Sequence, residues 1–267
     1  MLLTITGLYI YPVKSLGGIS LQQASVSDRG LTFDRRWMLV GEDQVFLSQR
    51  SHPEMALLQP EIRDDGLVIR NQKHETISIL PREEGDRLKV QVWDDVCEAV
   101  VYDQPVNEWF SDQLGMSAQL VYMPRASKRQ VDPRYAKQNE LVGFADGYPF
   151  LMISEESLED LNSRLDQPVR MDRFRPNIVV EGGAAFQEDL IRSFRAGGMT
   201  FLGVKPCARC QVVTIDQQTG LATKEPLNTL ATYRRAGHKV LFGMNLLHQG
   251  EGILQVGEPL QELICSH

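Results

Sequence analysis

The first hundred residues consist mostly of short segments in which apolar and polar residues alternate, with turn-forming residues between the segments. Successive side chains of a β-strand point to opposite faces, so this alternation predicts strands that are buried on one side. Many short strands joined by regular turns are typical of a barrel or a sandwich. The predicted strands cover the apolar N-terminus and residues 19–27, 35–48, 61–70, 76–80, 88–93 and 97–102.

The rest of the chain mixes helical and strand patterns. Helices are predicted over residues 104–114, over residues 154–165, and from about Pro226 to about Gly237. Gly115 is a typical helix C-terminus, and Ser154 is a typical N-cap. Further strands are predicted at residues 177–182, 199–206, 210–216 and 239–248. The pattern as a whole predicts a strand-rich α+β fold.

A polar stretch rich in basic residues, 124–140, separates the two patterns. We interpret it as the connection between two domains, residues 1–122 and residues 123–267. The stretch has the composition of a loop, and it contains none of the apolar periodicity that predicts an element of secondary structure.

Charge and hydropathy exclude some partners. The formal net charge of −7 over 267 residues argues against a broad nucleic-acid surface, which is usually strongly basic. No apolar run reaches the ~18 residues that a membrane helix needs. The apolar N-terminus lacks the basic region and cleavage site of a signal peptide. We therefore expect a cytoplasmic protein that binds neither a nucleic-acid polymer nor a membrane.

Two of the four cysteines form the motif Cys207-x-x-Cys210, while Cys97 and Cys265 stand alone. This is not the density of a disulfide scaffold, and the five histidines show no metal-ligand spacing. A thiolate is a soft ligand for a soft or high-valent metal. Taken alone, the motif leaves three interpretations open: a thiol redox pair, half of a zinc site, or two partly buried thiols.

Several longer motifs occur in one order along nearly the whole chain. They resemble the MOSC superfamily, and within it the proteins that carry an N-terminal MOSC β-barrel, such as the mitochondrial amidoxime-reducing component and bacterial YcbX-type proteins. The motifs are YPVKS (11–15), FDRRWML (33–39), ADGYPFLMISEESLEDLN (145–162), RFRPNIVV (173–180), KPCARCQVVTIDQQTG (205–220) and KEPLNTLATYR (224–234).

The resemblance implies a MOSC β-barrel fold with an N-terminal β-barrel-like domain and a molybdenum–molybdopterin cofactor. In this family one cysteine binds the metal, and alignment of the C-x-R-C motif makes Cys210 that metal ligand and catalytic residue. Cys207 then lies beside the metal without binding it.

The resemblance also implies which residues bind the pterin. Lys14 and Ser15 match the K-S pair of the family, and Arg35 matches its D-R-x-W arginine. An arginine can make a bidentate contact with a phosphate. The other implied cofactor-binding residues are Asp146, Arg175, Asn177 and, by a weaker match, Asn245. Pro176 predicts an extended backbone that lets its two neighbours face one site.

The implied activity is reduction of small N-hydroxylated compounds, such as amidoximes and hydroxylaminopurines, by removal of oxygen. The sequence has no four-cysteine iron–sulfur pattern, so electrons are expected from a separate ferredoxin- or flavoprotein-type donor. Two alternatives stay open. One is a non-catalytic carrier of molybdenum cofactor, and the other is a sulfur carrier or thiol redox protein that uses the C-x-x-C pair.

Overall fold

The computed structural model describes residues 2–136 and 138–266, so parts of the predictions that fall on Met1, Lys137 and His267 lie outside the described residues. Strands dominate, which confirms the strand-rich α+β prediction. In chain order the strands are β1 (Thr4–Ile10), β2 (Ile19–Leu21), β3 (Gln23–Ser27), β4 (Gly30–Leu31), β5 (Trp37–Val40), β6 (Gln59–Arg63), β7 (Gly66–Arg70), β8 (Thr76–Ile79), β9 (Arg87–Val92), β10 (Asp95–Val101), β11 (Gln119–Tyr122), β12 (Phe150–Ser154), β13 (Ile178–Glu181), β14 (Ile191–Ala196), β15 (Met199–Arg209), β16 (Arg235–Ala236), β17 (Lys239–Gln249), β18 (Gly252–Gln255) and β19 (Gln261–Cys265). The α-helices are α1 (Gln104–Leu114), α2 (Glu155–Asn162) and α3 (Leu227–Tyr233).

The largest sheet contains nine strands, in the order β19-β14-β15-β17-β12-β13-β1-β2, with β16 attached to β17. The pair β12 and β13 is parallel, and β12 also pairs with β17 in antiparallel register. Three smaller sheets are β5-β11-β10-β9, β18-β3-β4 and β6-β7-β8. The large sheet therefore combines most of the C-terminal strands with the first two strands of the chain, and the other described strands form three shorter sheets.

The first two strands belong to this large sheet. β1 pairs with β13 on one side and with β2 on the other, although β13 lies far along the chain. The next strand, β3, pairs with β18 near the C-terminus. The two halves of the sequence are thus joined by hydrogen bonds between strands, and the boundary between residues 122 and 123 stays a prediction.

Local capping residues mark the C-terminus of α1 and the N-terminus of α2. α1 has the predicted bounds, and Gly115 follows it in the left-handed conformation with φ 63°. Glycine adopts that conformation without the cost of a side chain. At the start of α2, the Ser154 side chain accepts a hydrogen bond from the Ser157 N–H, as predicted for an N-cap. α3 is shorter than predicted, because β16 begins at Arg235 and pairs with the start of β17.

The prediction of a strand over residues 210–216 is wrong. β15 ends at Arg209, and residues Gln211–Thr214 form a 3-10 helix. The partner strand explains the difference: Arg209 is paired with Val240, one residue from the first residue of β17. Beyond that point only Lys239 of β17 remains, and it pairs with Ala236 of β16, so β-branched composition alone does not extend the strand.

Candidate functional site

A cleft of about 150 Å³ lies between the loops of the N-terminal strands and the large sheet. Its walls come from both halves of the chain, and an irregular loop or the end of an element supplies most of them. All eight residues that the sequence predicts for cofactor binding line this one cleft: Lys14, Ser15, Arg35, Asp146, Arg175, Asn177, Cys210 and Asn245. Their roles in binding stay predictions, but the folding chain does bring them together.

Three of these residues have a left-handed backbone, with φ values of 70° at Ser15, 46° at Arg35 and 55° at Arg175. Such residues are uncommon outside glycine and often occur at functional sites. The extended backbone predicted at Arg175 is wrong. This residue follows the 3-10 helix Met171–Phe174. Its backbone has the left-handed αL conformation, and its N–H donates a hydrogen bond to the Asp172 carbonyl. Arg175 and Asn177 nevertheless line the same cleft.

The Arg175 guanidinium is hydrogen-bonded to the backbone through one terminal nitrogen and lacks a partner among the described residues at the other. Nη1 donates to the Leu16 carbonyl at 2.7 Å, and the group lies 4.1 Å from the centre of the Tyr11 ring. Nη2 is buried and has no hydrogen-bond partner within residues 2–136 and 138–266. Burial, together with the nearby Arg35 charge, lowers the pKa of Arg175 to about 10. The group is therefore still a cation at neutral pH.

Arg35, in contrast, is largely occupied by the protein. Its Nη1 donates to Asp34 at 2.7 Å and to the Asn177 Oδ1 at 3.2 Å, and Nη2 donates to the Arg175 carbonyl at 3.3 Å. Its guanidinium stacks over Tyr11 at 4.4 Å. Arg35 and Arg175 thus pack against the same aromatic ring.

Asn177 is almost fully buried, and it links the strands that form the base of the cleft. Its side-chain oxygen also accepts from the Leu151 N–H at 3.2 Å, and its side-chain nitrogen donates to the Tyr9 carbonyl at 3.2 Å. These contacts connect β1, β12 and the segment before β13. They indicate that Asn177 positions Arg35 in addition to lining the cleft.

The Lys14 ammonium is also paired internally. It donates to the Phe144 carbonyl at 2.8 Å and to Asp146 Oδ1 at 2.5 Å, and it lies 4.9 Å from the Phe46 ring centre. Burial lowers the pKa of Lys14, and the Asp146 carboxylate opposes that shift. Asp146 accepts a second hydrogen bond from Trp93 Nε1 at 3.1 Å.

The two cysteines of the C-x-x-C motif have different surroundings. Cys207 lies on β15, and its sulfur accepts a hydrogen bond from Arg209 Nη1 at 3.1 Å. Cys210 is exposed, caps the 3-10 helix that follows β15, and contributes to the wall of the cleft. The more accessible thiol is therefore the one that the sequence predicts to bind a metal.

Sequence analysis missed three further arginines in the cleft, Arg50, Arg173 and Arg209. The Nη1 of Arg173 and the Nε of Arg209 are buried without a hydrogen-bond partner in the described ranges. Arg173 also pairs with Asp216 at 2.8 Å, and Arg209 donates to the Phe174 carbonyl. Arg173 and Arg209 lie inside the motifs RFRPN and CARC that carry the family resemblance. Nothing in those motifs distinguishes these two arginines from arginines on the protein surface.

A fourth missed residue, Arg129, comes from the stretch predicted to be a polar connection. Its side chain is buried and donates to the carbonyls of Gly143 at 2.8 Å, Ala145 at 2.5 Å and Asp146 at 3.1 Å. These three hydrogen bonds hold the loop that carries Asp146 into the cleft. Arg129 is thus a positioning residue, and it also pairs with Asp95 at 2.8 Å.

Within residues 2–136 and 138–266, no group of three or more His, Cys, Asp or Glu side chains is placed to hold a metal ion by itself. No helix in that part of the chain combines the length and the hydropathy that crossing a membrane requires. Asn245, the last of the predicted residues, donates to the Lys205 carbonyl at 3.2 Å across the β15–β17 pair.

The fold and the cleft define a strand-rich α+β protein with a cationic, cysteine-bearing pocket at the end of a β-strand. Sequence comparison matches residues 2–117 to the MOSC N-terminal beta barrel domain and residues 139–261 to the MOSC domain. The chain therefore belongs to the family of proteins that combine these two domains.

Named relatives align over nearly the whole chain. Mitochondrial amidoxime-reducing component 1 of Mus musculus is 32% identical over 96% of this chain and 81% of its own length. Molybdenum cofactor sulfurase of Oryza sativa is 33% identical over 96% of this chain, which spans only 34% of that relative. A solved structure, the YUAD protein from Bacillus subtilis, aligns with 97% of this chain and 94% of its own, at 12% identity and a TM-score of 0.45.

Proposed function

We propose that this protein binds a molybdenum–molybdopterin cofactor in the cleft and reduces small N-hydroxylated compounds. The observation that carries the proposal is the coincidence of two features in one cavity. These are an exposed cysteine and three guanidinium groups, each with a buried nitrogen that lacks a partner in the described part of the chain: Arg173, Arg175 and Arg209. The relatives named as amidoxime-reducing components support the activity.

The donor set fits such a cofactor. Buried hydrogen-bond donors without partners are rare, because each costs about 1–3 kcal/mol when its water is lost. A phosphate offers several acceptor oxygens and a negative charge, and guanidinium groups bind it with directed, charge-assisted bonds. The thiolate of Cys210 is a soft ligand for a high-valent metal. The cleft thus offers a thiolate for the metal end of the cofactor and guanidinium groups for its phosphate end.

In this proposal, the residues around the cleft have separate tasks. Cys210 binds the metal, while Arg175, Arg173 and Arg209 bind the phosphate end. Lys14, Ser15, Arg35, Asp146, Asn177 and Asn245 line the pterin, and several of them also fix one another. When bound, the cofactor supplies two-electron chemistry in which an N-hydroxyl compound, two electrons and two protons give the N–H compound and water. A separate electron-donor protein provides the electrons.

The test is analysis of the protein made in a host that synthesises the cofactor. We expect close to one molybdenum per chain and the fluorescence of an oxidised pterin after the protein is denatured. The loaded protein with a chemical reductant should then convert benzamidoxime to benzamidine. Protein without molybdenum and pterin from such a host would contradict the proposal.

One alternative function has support of its own. We propose as the alternative a non-catalytic carrier of the cofactor or of sulfur, because relatives named molybdenum cofactor sulfurase align with 96% and 90% of this chain and their name links them to the same cofactor. The same preparation separates the two. A carrier retains molybdenum and pterin but shows no turnover with the reductant, and a sulfur carrier shows a persulfide on Cys210 instead of the metal.

A further inference from the structure

A second, larger cavity of about 890 Å³ opens beside the cleft. The two cavities share part of their walls, namely Asp146, Gly147, Tyr148, Cys207, Ala208 and Asn245. The far wall comes from the turn between β9 and β10 and from residues 128–134. Arg35, Arg175 and Cys210 line only the first cavity, whereas Asp146 and Asn245 line both, so the second cavity adjoins the proposed cofactor site.

Trp93 forms one rigid side of this cavity. The residue is 41% exposed and has a left-handed φ of 57°. Its indole N–H is fixed by the hydrogen bond to Asp146, and the Arg50 guanidinium lies over the ring at 4.1 Å. A large aromatic side chain held in this way offers a flat apolar surface at little further loss of conformational entropy.

Tyr148 lies on the shared wall of the two cavities. Its hydroxyl oxygen is buried and has no hydrogen-bond partner among the residues that the structure covers. Burial raises the pKa of Tyr148, so the hydroxyl keeps its proton at neutral pH and can donate. The ring is held by an edge contact with Tyr135 at 6.1 Å and by Lys205 at 5.1 Å.

Most charges around the cavity are paired within the protein. Arg129 pairs with Asp95 at 2.8 Å, Arg134 with Asp132 at 2.5 Å, and Asp146 with Lys14 at 2.5 Å. The remaining charges in the wall are Lys128, Lys205 and Asp94. The excess of one positive charge is small, so we expect no strong preference for an anionic or a cationic ligand.

We propose that the second cavity is the substrate-binding site and selects an uncharged, flat aromatic N-hydroxylated compound. Trp93 packs against the ring of the substrate, and the Tyr148 hydroxyl donates a hydrogen bond to an acceptor on it. The proposal rests on the proposed function for the nature of the substrate, but the cavity, the exposed indole and the unpartnered hydroxyl are properties of this chain.

The experiment measures binding and turnover separately on the molybdenum-loaded protein. Binding of benzamidoxime and of the aliphatic acetamidoxime is measured by calorimetry without reductant, and KM and kcat are measured with it. We expect Tyr148→Phe to weaken benzamidoxime binding about fivefold, the effect of losing one hydrogen bond, with kcat little changed. Trp93→Leu should lower the ratio of benzamidoxime affinity to acetamidoxime affinity about fivefold, which would remove most of the preference for the aromatic compound.

Tyr135→Phe is the matched control, because its ring is the neighbour of Tyr148 but does not line the cavity. It should bind both compounds like the native protein, and molybdenum content should be equal in all variants. Native binding by both Tyr148→Phe and Trp93→Leu would overturn the inference while leaving the reductase function intact. So would loss of molybdenum from Tyr148→Phe, which would assign the hydroxyl to the cofactor. Benzamidoxime binding without turnover in the native protein would instead contradict the reductase function alone.

Discussion

The two sides of the cleft carry similar positive charge but use it differently. On the N-terminal side, Lys14 is paired with Asp146 and Arg35 with Asp34, both within 2.7 Å, and Arg50 lies over the Trp93 ring at 4.1 Å. On the C-terminal side, Arg173, Arg175 and Arg209 each keep a buried nitrogen that has no acceptor among the described residues, although Arg173 is also paired with Asp216. We therefore expect an anion to bind at the buried donors that lack acceptors, and not simply where cations are most numerous.

The difference has a physical cause. An ion pair inside the protein already offsets the cost of removing its charges from water, so a ligand gains little by approaching it. A buried donor without a partner keeps that cost until an acceptor arrives. We therefore infer that the N-terminal side shapes the cleft and that the C-terminal side supplies most of the binding free energy for a phosphate.

The largest expected effect distinguishes the two cysteines at the C-terminal side. Cys210→Ser replaces a soft thiolate with a harder hydroxyl that does not ionise at neutral pH, so reduction of benzamidoxime should fall below detection. The guanidinium contacts are unchanged, so the pterin should still bind. Cys207→Ser should keep most of the activity, because Cys207 is half-buried on β15 and is expected only to neighbour the metal.

Turnover with a chemical reductant and pterin fluorescence should be measured on both cysteine variants, so that a missing electron donor cannot hide the result. Equal loss of activity in Cys207→Ser and Cys210→Ser would favour a thiol–disulfide mechanism, in which each cysteine is half of one redox pair. That outcome would remove Cys210 as the sole protein ligand of the metal.

The next effect concerns the unpaired guanidinium of Arg175. Arg175→Lys keeps the charge but loses the planar group that can make two parallel hydrogen bonds. Losing a charge-assisted arrangement of this kind should cost about 1.5–3 kcal/mol of cofactor binding, roughly tenfold to a hundredfold in retention. Molybdenum and pterin remaining after extended dialysis measure this directly.

Two further variants make that measurement a test of the comparison. Arg170→Lys is the control, because Arg170 is 69% exposed at its side chain, pairs with Asp172 and does not line the cleft. The double variant Lys14→Met, Asp146→Asn removes both charges of one ion pair, so retention should fall by less than about fivefold. A greater loss in this double variant than in Arg175→Lys would reverse the assignment of the two sides.

Local signals account for what the sequence predicted well. The bounds of α1 were predicted because Gly115 and the helical spacing both lie within the segment itself. The strand over 210–216 was wrong because its extent depends on β17, which lies thirty residues further along the chain. Nothing within the segment indicates where its partner begins.

The same distinction applies to the candidate site. The resemblance of several motifs supplied eight residues that the fold brings to one cleft. It could not rank them, because the partners of Lys14 and Arg35 include backbone carbonyl groups of loops that are distant in sequence. The importance of Arg173 and Arg209 likewise depends on which of their nitrogen atoms find an acceptor after folding.

The smallest expected effect tests whether the left-handed backbone at Ser15, on the N-terminal side of the cleft, lowers the free energy of unfolding. Ser15 has φ 70°, and its carbonyl accepts from Gln49 Nε2 at 2.7 Å. Ser15→Gly relieves the left-handed strain but increases the freedom of the unfolded chain, so the free energy of unfolding should rise by no more than about 1 kcal/mol. Denaturant unfolding of the cofactor-free protein measures this change. The control is Gln44→Gly, an exposed turn residue with φ 63° outside the cleft, which should respond equally.

Because we assign shaping and not binding to the N-terminal side of the cleft, cofactor retention in Ser15→Gly should stay within about twofold of the native value. A tenfold loss of retention with unchanged stability would show that the Ser15 hydroxyl binds the cofactor directly and that the N-terminal side does more than shape the cleft.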